Sequence, residues 1–177
     1  MLLVLVEAVD WLVFNGSLDG FGVHPRTLVG LGGILTMPFL HGGFWHLASN
    51  LLAGVPLAFL SMERSRKDFF AVVAVSSLTA GLGAWLFGGV GTVHIGASGV
   101  VFGLLGFLML RGVFERRILP ILMSLFVVLG WGSMLIGLVP GLFAGISWQA
   151  HLFGFLGGAL VARIMGKELR QKAPKTS

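Results

Sequence analysis

The sequence predicts an all-α polytopic membrane protein, a six-transmembrane-helix bundle, from three observations. Hydrophobic residues make up 56% of the 177-residue chain and charged residues only 11%, where a soluble domain carries about a quarter charged residues. Apolar runs recur at lengths near the ~20 residues that a helix needs to cross the hydrocarbon core. The basic residues sit between alternate runs instead of spreading over one face. The net charge of +5 therefore reads as membrane topology, not as a nucleic-acid surface, which needs a basic stripe on a solvated face. The chain has no cysteine, which excludes disulfides, thiolate metal sites and thiol chemistry.

The first run, 2–14, is the shortest. At ~1.5 Å per residue it reaches only about 20 Å, and it contains Glu7 and Asp10, one turn apart and candidates to face the bundle. No Lys or Arg precedes it and no small-residue cleavage site ends it, so a short span is the expectation over a signal peptide. The connection 15–43 is too long for a tight turn and too apolar for a solvated loop, which places it in the interface or against the bundle. Its glycine-rich composition predicts no regular element.

Five further spans follow, at 44–61, 69–89, 97–113, 118–140 and 147–166. Orientation comes from Lys and Arg. Arg64, Arg66 and Lys67 lie after span two, Arg111, Arg116 and Arg117 after span four, and Arg163, Lys167, Arg170, Lys172 and Lys175 at the end of span six; Arg26 stands alone on the other side. The positive-inside rule then puts these three clusters and the C-terminus in the cytoplasm. Spans two, four and six all start from the outer face. The polar, basic tail from Lys167 reads as a solvated end near anionic lipid, and Glu63 as a cap or ion-pair partner in its loop.

Polar groups inside spans are costly, so each is a candidate site. His46 and Asn50 are four residues apart on one face at the outer start of span two. Ser98 stands at the outer start of span four and His151 just inside span six. A topology drawn from Lys and Arg alone thus brings four reactive or hydrogen-bonding groups to one depth. A serine needs a base within hydrogen-bond reach, which His151 can supply. An oxyanion needs donors, and the Ser98 backbone N–H, the Asn50 amide and the His46 imidazole are groups of that kind. No acid stands in an outer half-helix to orient His151, so the expectation is a Ser–His dyad, with Phe102, one turn after Ser98, packing on the ring.

Glycines offer the means of approach. Gly99 and Gly103 form a GxxxG pair in span four, continued by Gly106, and Ala150, Gly154 and Gly158 recur every four residues in span six. Such stripes let helix backbones pack closely. The serines at 76, 77, 124 and 133 are expected to bond back to their own helices. His41 reads as structural, and His24 and His94 as loop residues without partners in sequence.

At these residues the chain resembles the rhomboid family of intramembrane serine proteases. The matching pieces are GASG around Ser98, FLHGGFWH leading to His46 with Asn50 four residues on, and AHLFGFLGG carrying His151. The resemblance implies one rhomboid-like six-helix domain over 1–177, with Ser98 as nucleophile, His151 as general base and then acid, and His46, Asn50 and the Ser98 N–H as oxyanion stabilisers. It implies single-span membrane proteins as substrates, cut near the outer face of the plasma membrane, with no metal and no cofactor. Family members usually carry tyrosine where Phe102 stands, and often a Trp-Arg pair in the first outer loop, where this chain has Gly32 and Gly33. Three rival readings are a non-catalytic relative that binds membrane helices, a small transporter or channel using the intramembrane His and Asn as substrate or proton sites, and a haem protein with His46 and His151 as axial ligands. The loop 137–148 (GLVPGLFAGISW) has the Gly, Pro and apolar composition of a hinged cover.

Overall fold

The computed structural model describes residues 1–63 and 65–172. Of the basic clusters used for orientation, Arg64 and Lys175 lie outside these residues. The fold is all-helical, 79% helix with no strand among the described residues. Seven α-helices follow one another: α1 (Leu2–Val9), α2 (Leu28–Thr36), α3 (Phe44–Met62), α4 (Arg66–Phe87), α5 (Ser98–Glu115), α6 (Ile118–Trp131) and α7 (Trp148–Lys172). α1 runs on into a π-helical turn over Asp10–Phe14, and α6 into a 3-10 stretch over Gly132–Leu138.

Among the described residues, four segments are long and apolar enough to cross a membrane: α3, α4, α5 and α6 with its 3-10 extension. The expectation of six meets two shortfalls with physical reasons. α1 is too short. α7 has length to spare, at 25 residues, but Gln149 and His151 in its first turn dilute its apolar character.

α5 is the centre of the bundle. It is 72% buried, against 28% for α3, 33% for α4 and 11% for α6 with its extension. Its Leu105, Phe107 and Leu108 are almost wholly sequestered. Against it α7 packs at backbone contact. A Cβ added at Gly154 would strike the carbonyl of Gly99, and one at Gly158 the carbonyl of Gly103. Only glycine permits that approach, and dispersion between closely packed backbones replaces the hydrophobic drive that lipid does not provide. Because the contact includes the first turns of both helices, it also brings their starting residues together.

The connection 15–43 is more ordered than its composition suggests. Thr27 caps α2, its side chain accepting from the Gly30 N–H at 3.0 Å. A Cβ at Gly30 would meet the His24 backbone and one at Gly33 the Gly22 backbone, while Ile34 lies against Gly81 of α4. The glycines that obscured the helix are the ones that let it lie flat against its neighbours.

Serine behaviour also departs from expectation. Ser124 does not bond back to α6; its hydroxyl donates to the Leu108 carbonyl (2.7 Å) and accepts from the Gly112 N–H (2.9 Å), entering the backbone ladder of α5. Ser76 is fully buried and its hydroxyl has no hydrogen-bond partner among the described residues. At the end of α5 remote from Ser98, Arg111 is helical and buried, paired to Glu115 at 2.8 Å and to Glu63 at 3.2 Å. Buried charge is tolerated only when paired in this way.

Candidate active site

Ser98 is the first residue of α5, so its N–H has no acceptor within the helix. The approach to it is a sharp turn. Gly96 has φ +111°, a conformation that side-chain-bearing residues rarely take, and its N–H donates to the Met37 carbonyl at 2.9 Å. The next N–H, of Ala97, donates to Nε2 of His41 at 3.3 Å. His41 is 1% exposed. Burial, seconded by the neighbouring His46, pushes its pKa down to about 4, so the ring stays neutral and able to accept.

His151 lies in the first turn of α7. Its Nε2 is 2.9 Å from Ser98 Oγ, and its Nδ1 is 3.1 Å from the carbonyl oxygen of Gly137. A carbonyl can only accept, so Nδ1 carries the proton in this bond and Nε2 presents its lone pair to the serine hydroxyl. The ring therefore stands in the tautomer a general base requires. Phe102 stacks on it, centroids 4.1 Å apart and planes 14° from parallel. The backbone of the α6 extension thus does the orienting that no side-chain acid was available to do. Gly137 is suited to this place, since a Cβ there would lie 3.0 Å from Phe102 Cζ and 3.3 Å from His151 Nδ1.

His46 and Asn50 occupy one face of α3 beside this pair. His46 Nδ1 accepts from the Gly42 N–H at 3.2 Å, which leaves Nε2 as the protonated nitrogen. That nitrogen borders Gly96, 2.7 Å from where a Cβ would stand. Asn50, 7% exposed, gives one amide N–H to the His46 carbonyl at 3.1 Å; its second is not committed by that bond. His46, Asn50, Ser98, Phe102 and His151 all line one cavity of about 520 Å³. Three helices thus present a hydroxyl, a poised base and three N–H donors to a single volume.

The rhomboid domain family model matches residues 30–168. This chain belongs to the rhomboid family. Among relatives, Rv1337, an uncharacterized protein of Mycobacterium tuberculosis, is 38% identical over 178 residues, covering 96% of this chain and 73% of the relative. YdcA of Bacillus subtilis, provisionally named a rhomboid protease, is 28% identical over 172 residues, covering 90% and 84%. RHOMBOID-like protein 4 of Arabidopsis thaliana is 27% identical over 140 residues, covering 75% of this chain and 33% of that protein. The rhomboid domain and the four long apolar helices make the chain an integral membrane protein.

Within this rhomboid, some residues near the cavity escaped the sequence reading. Gly137 contributes only a carbonyl, which no motif signals. His24 and His94 both have partners. His24 Nε2 lies 2.8 Å from the Gly20 carbonyl. His94, whose pKa burial lowers, reaches Thr92 and Ser147. Asp10, 3% exposed, turns inward as its spacing suggested and accepts from the Leu18 N–H at 3.0 Å. Nearby Asp19 is raised to about 6 by burial and by the charges of Asp10 and Glu7. Among the described residues no group of three or more His, Asp or Glu side chains is set to hold a metal ion.

Proposed function

We propose that this rhomboid is an intramembrane serine endopeptidase that cuts single-span membrane proteins near the outer face of the plasma membrane. It forms one domain over 1–177 with six crossings, α1 and α7 included, and its C-terminus is cytoplasmic. The observation that carries this reading is the 2.9 Å Ser98 Oγ···His151 Nε2 contact, with Nδ1 held by the Gly137 carbonyl.

In the reaction, Ser98 Oγ attacks the scissile carbonyl carbon and its proton passes to His151 Nε2. The oxyanion takes hydrogen bonds from the Ser98 N–H, the His46 Nε2–H and the Asn50 amide. The C–N bond then breaks, the leaving nitrogen takes the proton back from Nε2, and Ser98 holds the acyl group. Water repeats the sequence: it attacks the ester carbon, gives its proton to Nε2, and Ser98 leaves as the hydroxyl. Phe102 keeps the ring coplanar with its path between the two oxygens; a tyrosine hydroxyl is not needed for that stacking.

Substrate enters sideways from lipid past α6, beneath the loop 137–148 as a movable cover. In support, α6 buries only Pro120, Ser124 and Val127, so its wall is lightly held. A crosslink between α3 and α6 is expected to abolish cleavage of membrane substrates, and full activity in the locked form excludes this route.

The decisive test is fluorophosphonate labelling of purified protein. Wild type is expected to label, and Ser98→Ala and His151→Ala are not. Labelling that persists in Ser98→Ala refutes the nucleophile. A folded wild type that neither labels nor cleaves points instead to helix binding or transport.

A further inference from the structure

The short loop that leads into Ser98 at the start of α5 also carries a histidine. His94 stands four residues ahead of the serine, and its backbone is clamped on both sides: the Val23 N–H donates to the His94 carbonyl and the His94 N–H to the Val23 carbonyl, each at 2.9 Å. Glycines make room for it. A Cβ at Gly88 would lie 2.5 Å from His94 Nε2, and one at Gly22 2.6 Å from the His94 carbonyl oxygen. The imidazole is thus a rigid post where the loops 15–27 and 88–97 meet.

The proton arrangement of this post follows from its neighbours. The Thr92 hydroxyl donates its single proton to the Gly89 carbonyl at 2.7 Å. It must then accept from His94 Nε2–H, 2.9 Å away. In the neutral ring Nδ1 is left as acceptor, and the Ser147 hydroxyl donates to it at 2.7 Å. Ser147 is the residue before α7. Its Oγ accepts from the Ala150 N–H at 3.4 Å and its carbonyl accepts from the His151 N–H at 3.1 Å. One orphan donor at the start of α7, the Ala150 N–H, and the helix's first ladder bond, from the His151 N–H, therefore both end on a residue that His94 holds in place.

We propose that His94 and Ser147 are positioning residues that lock the first turn of α7, and so His151, to the loop bearing Ser98; the inference rests on the dyad reading above. One loop then holds both members of the pair, the serine directly and the histidine through His94–Ser147. The lock also fixes the near end of the 139–146 segment, so the cover moves about Ser147 while the Ser98–His151 distance stays constant. Gln149, whose Nε2–H donates to the Phe87 carbonyl at 3.1 Å, ties the same turn of α7 to the end of α4 instead of to the serine loop.

The test pairs amide hydrogen exchange at Ala150 and His151 with fluorophosphonate labelling, in wild type, His94→Ala, His94→Asn, Ser147→Ala and the double variant His94→Ala/Ser147→Ala. Loss of the lock is expected to speed exchange at both amides by about fivefold or more, the effect of losing one hydrogen bond. Labelling is expected to slow by about 10–100-fold through misplacement of the base. The double variant should be no slower than the slower single one. His94→Asn keeps an acceptor near the Nδ1 position and should stay within about threefold of wild type in both measurements, a rescue that a merely space-filling role would not give. Exchange within about twofold of wild type in both alanine variants overturns the proposal, as does labelling loss that multiplies in the double variant. If His94→Ala does not fold, Ser147→Ala and His94→Asn decide the matter. Exchange does not depend on Ser98 chemistry, so a wild type that fails to label sinks the protease reading while exchange still judges the lock.

Discussion

A single methyl group at Gly96 tests the oxyanion donors directly. Gly96 sits at φ +111°, and a side-chain-bearing residue held there costs about 1–3 kcal/mol. The added Cβ would also lie 2.7 Å from His46 Nε2, 2.8 Å from Cε1 and 3.6 Å from Asn50 Nδ2, where ordinary contact begins near 3.4 Å. The imidazole must retreat by about 0.7 Å (3.4 minus 2.7), away from the position it holds over the cavity. Losing an oxyanion donor outright costs about 10²–10³ in rate, so a partial retreat is expected to slow fluorophosphonate labelling by about 10–100-fold. Gly91→Ala is the control: φ is +80° there too, but nothing lies within 4 Å of the added Cβ. Both variants should unfold at lower temperature than wild type, and only Gly96→Ala should lose labelling. A folded Gly96→Ala that labels at the wild-type rate refutes the assignment of His46.

Other consequences can be measured in the same preparations. Phe102→Ala removes a ring that is 4% exposed and stacked on His151; it should cost about 3–5 kcal/mol of stability and lower the labelling rate of the folded fraction. Ser124→Ala deprives the Gly112 N–H of a bond and α5 of its tie to α6, for about 1–3 kcal/mol in unfolding experiments. For Asp19, the folded pKa of about 6 exceeds the usual 3.8. The folded state therefore binds the proton more tightly, and this group's contribution to stability falls as pH rises from about 4 to 6. Asp19→Asn should then be more thermostable than wild type at pH 7–8, with the difference vanishing below about pH 4; an equal difference at both pH values contradicts the buried-charge account.

Much of the helix layout was legible because lipid imposes length and apolarity on any spanning segment. The expected runs 44–61 and 97–113 correspond to α3 (Phe44–Met62) and α5 (Ser98–Glu115) within a residue or two. α2 was not legible, because its glycines lower helix propensity while serving close packing against the chain at Gly22 and His24. The serines misled for a related reason. Back-bonding is the default of an isolated membrane helix, but the hydroxyl of Ser124 faces α5 at a point where that helix can share a ladder bond.

What the sequence determined by itself is whatever depends on spacing along one helix and on residue type. That includes the shared face of His46 and Asn50, the four-residue glycine stripes, the depth common to Ser98 and His151, and the family they mark. Tertiary structure alone decided what comes from backbone or from distant loops. The carbonyl that sets the His151 tautomer belongs to Gly137, and the ties on the start of α7 come from His94 and Phe87. A carbonyl is present at every position and a loop histidine carries no periodicity, so neither announces its partner until the chain is folded.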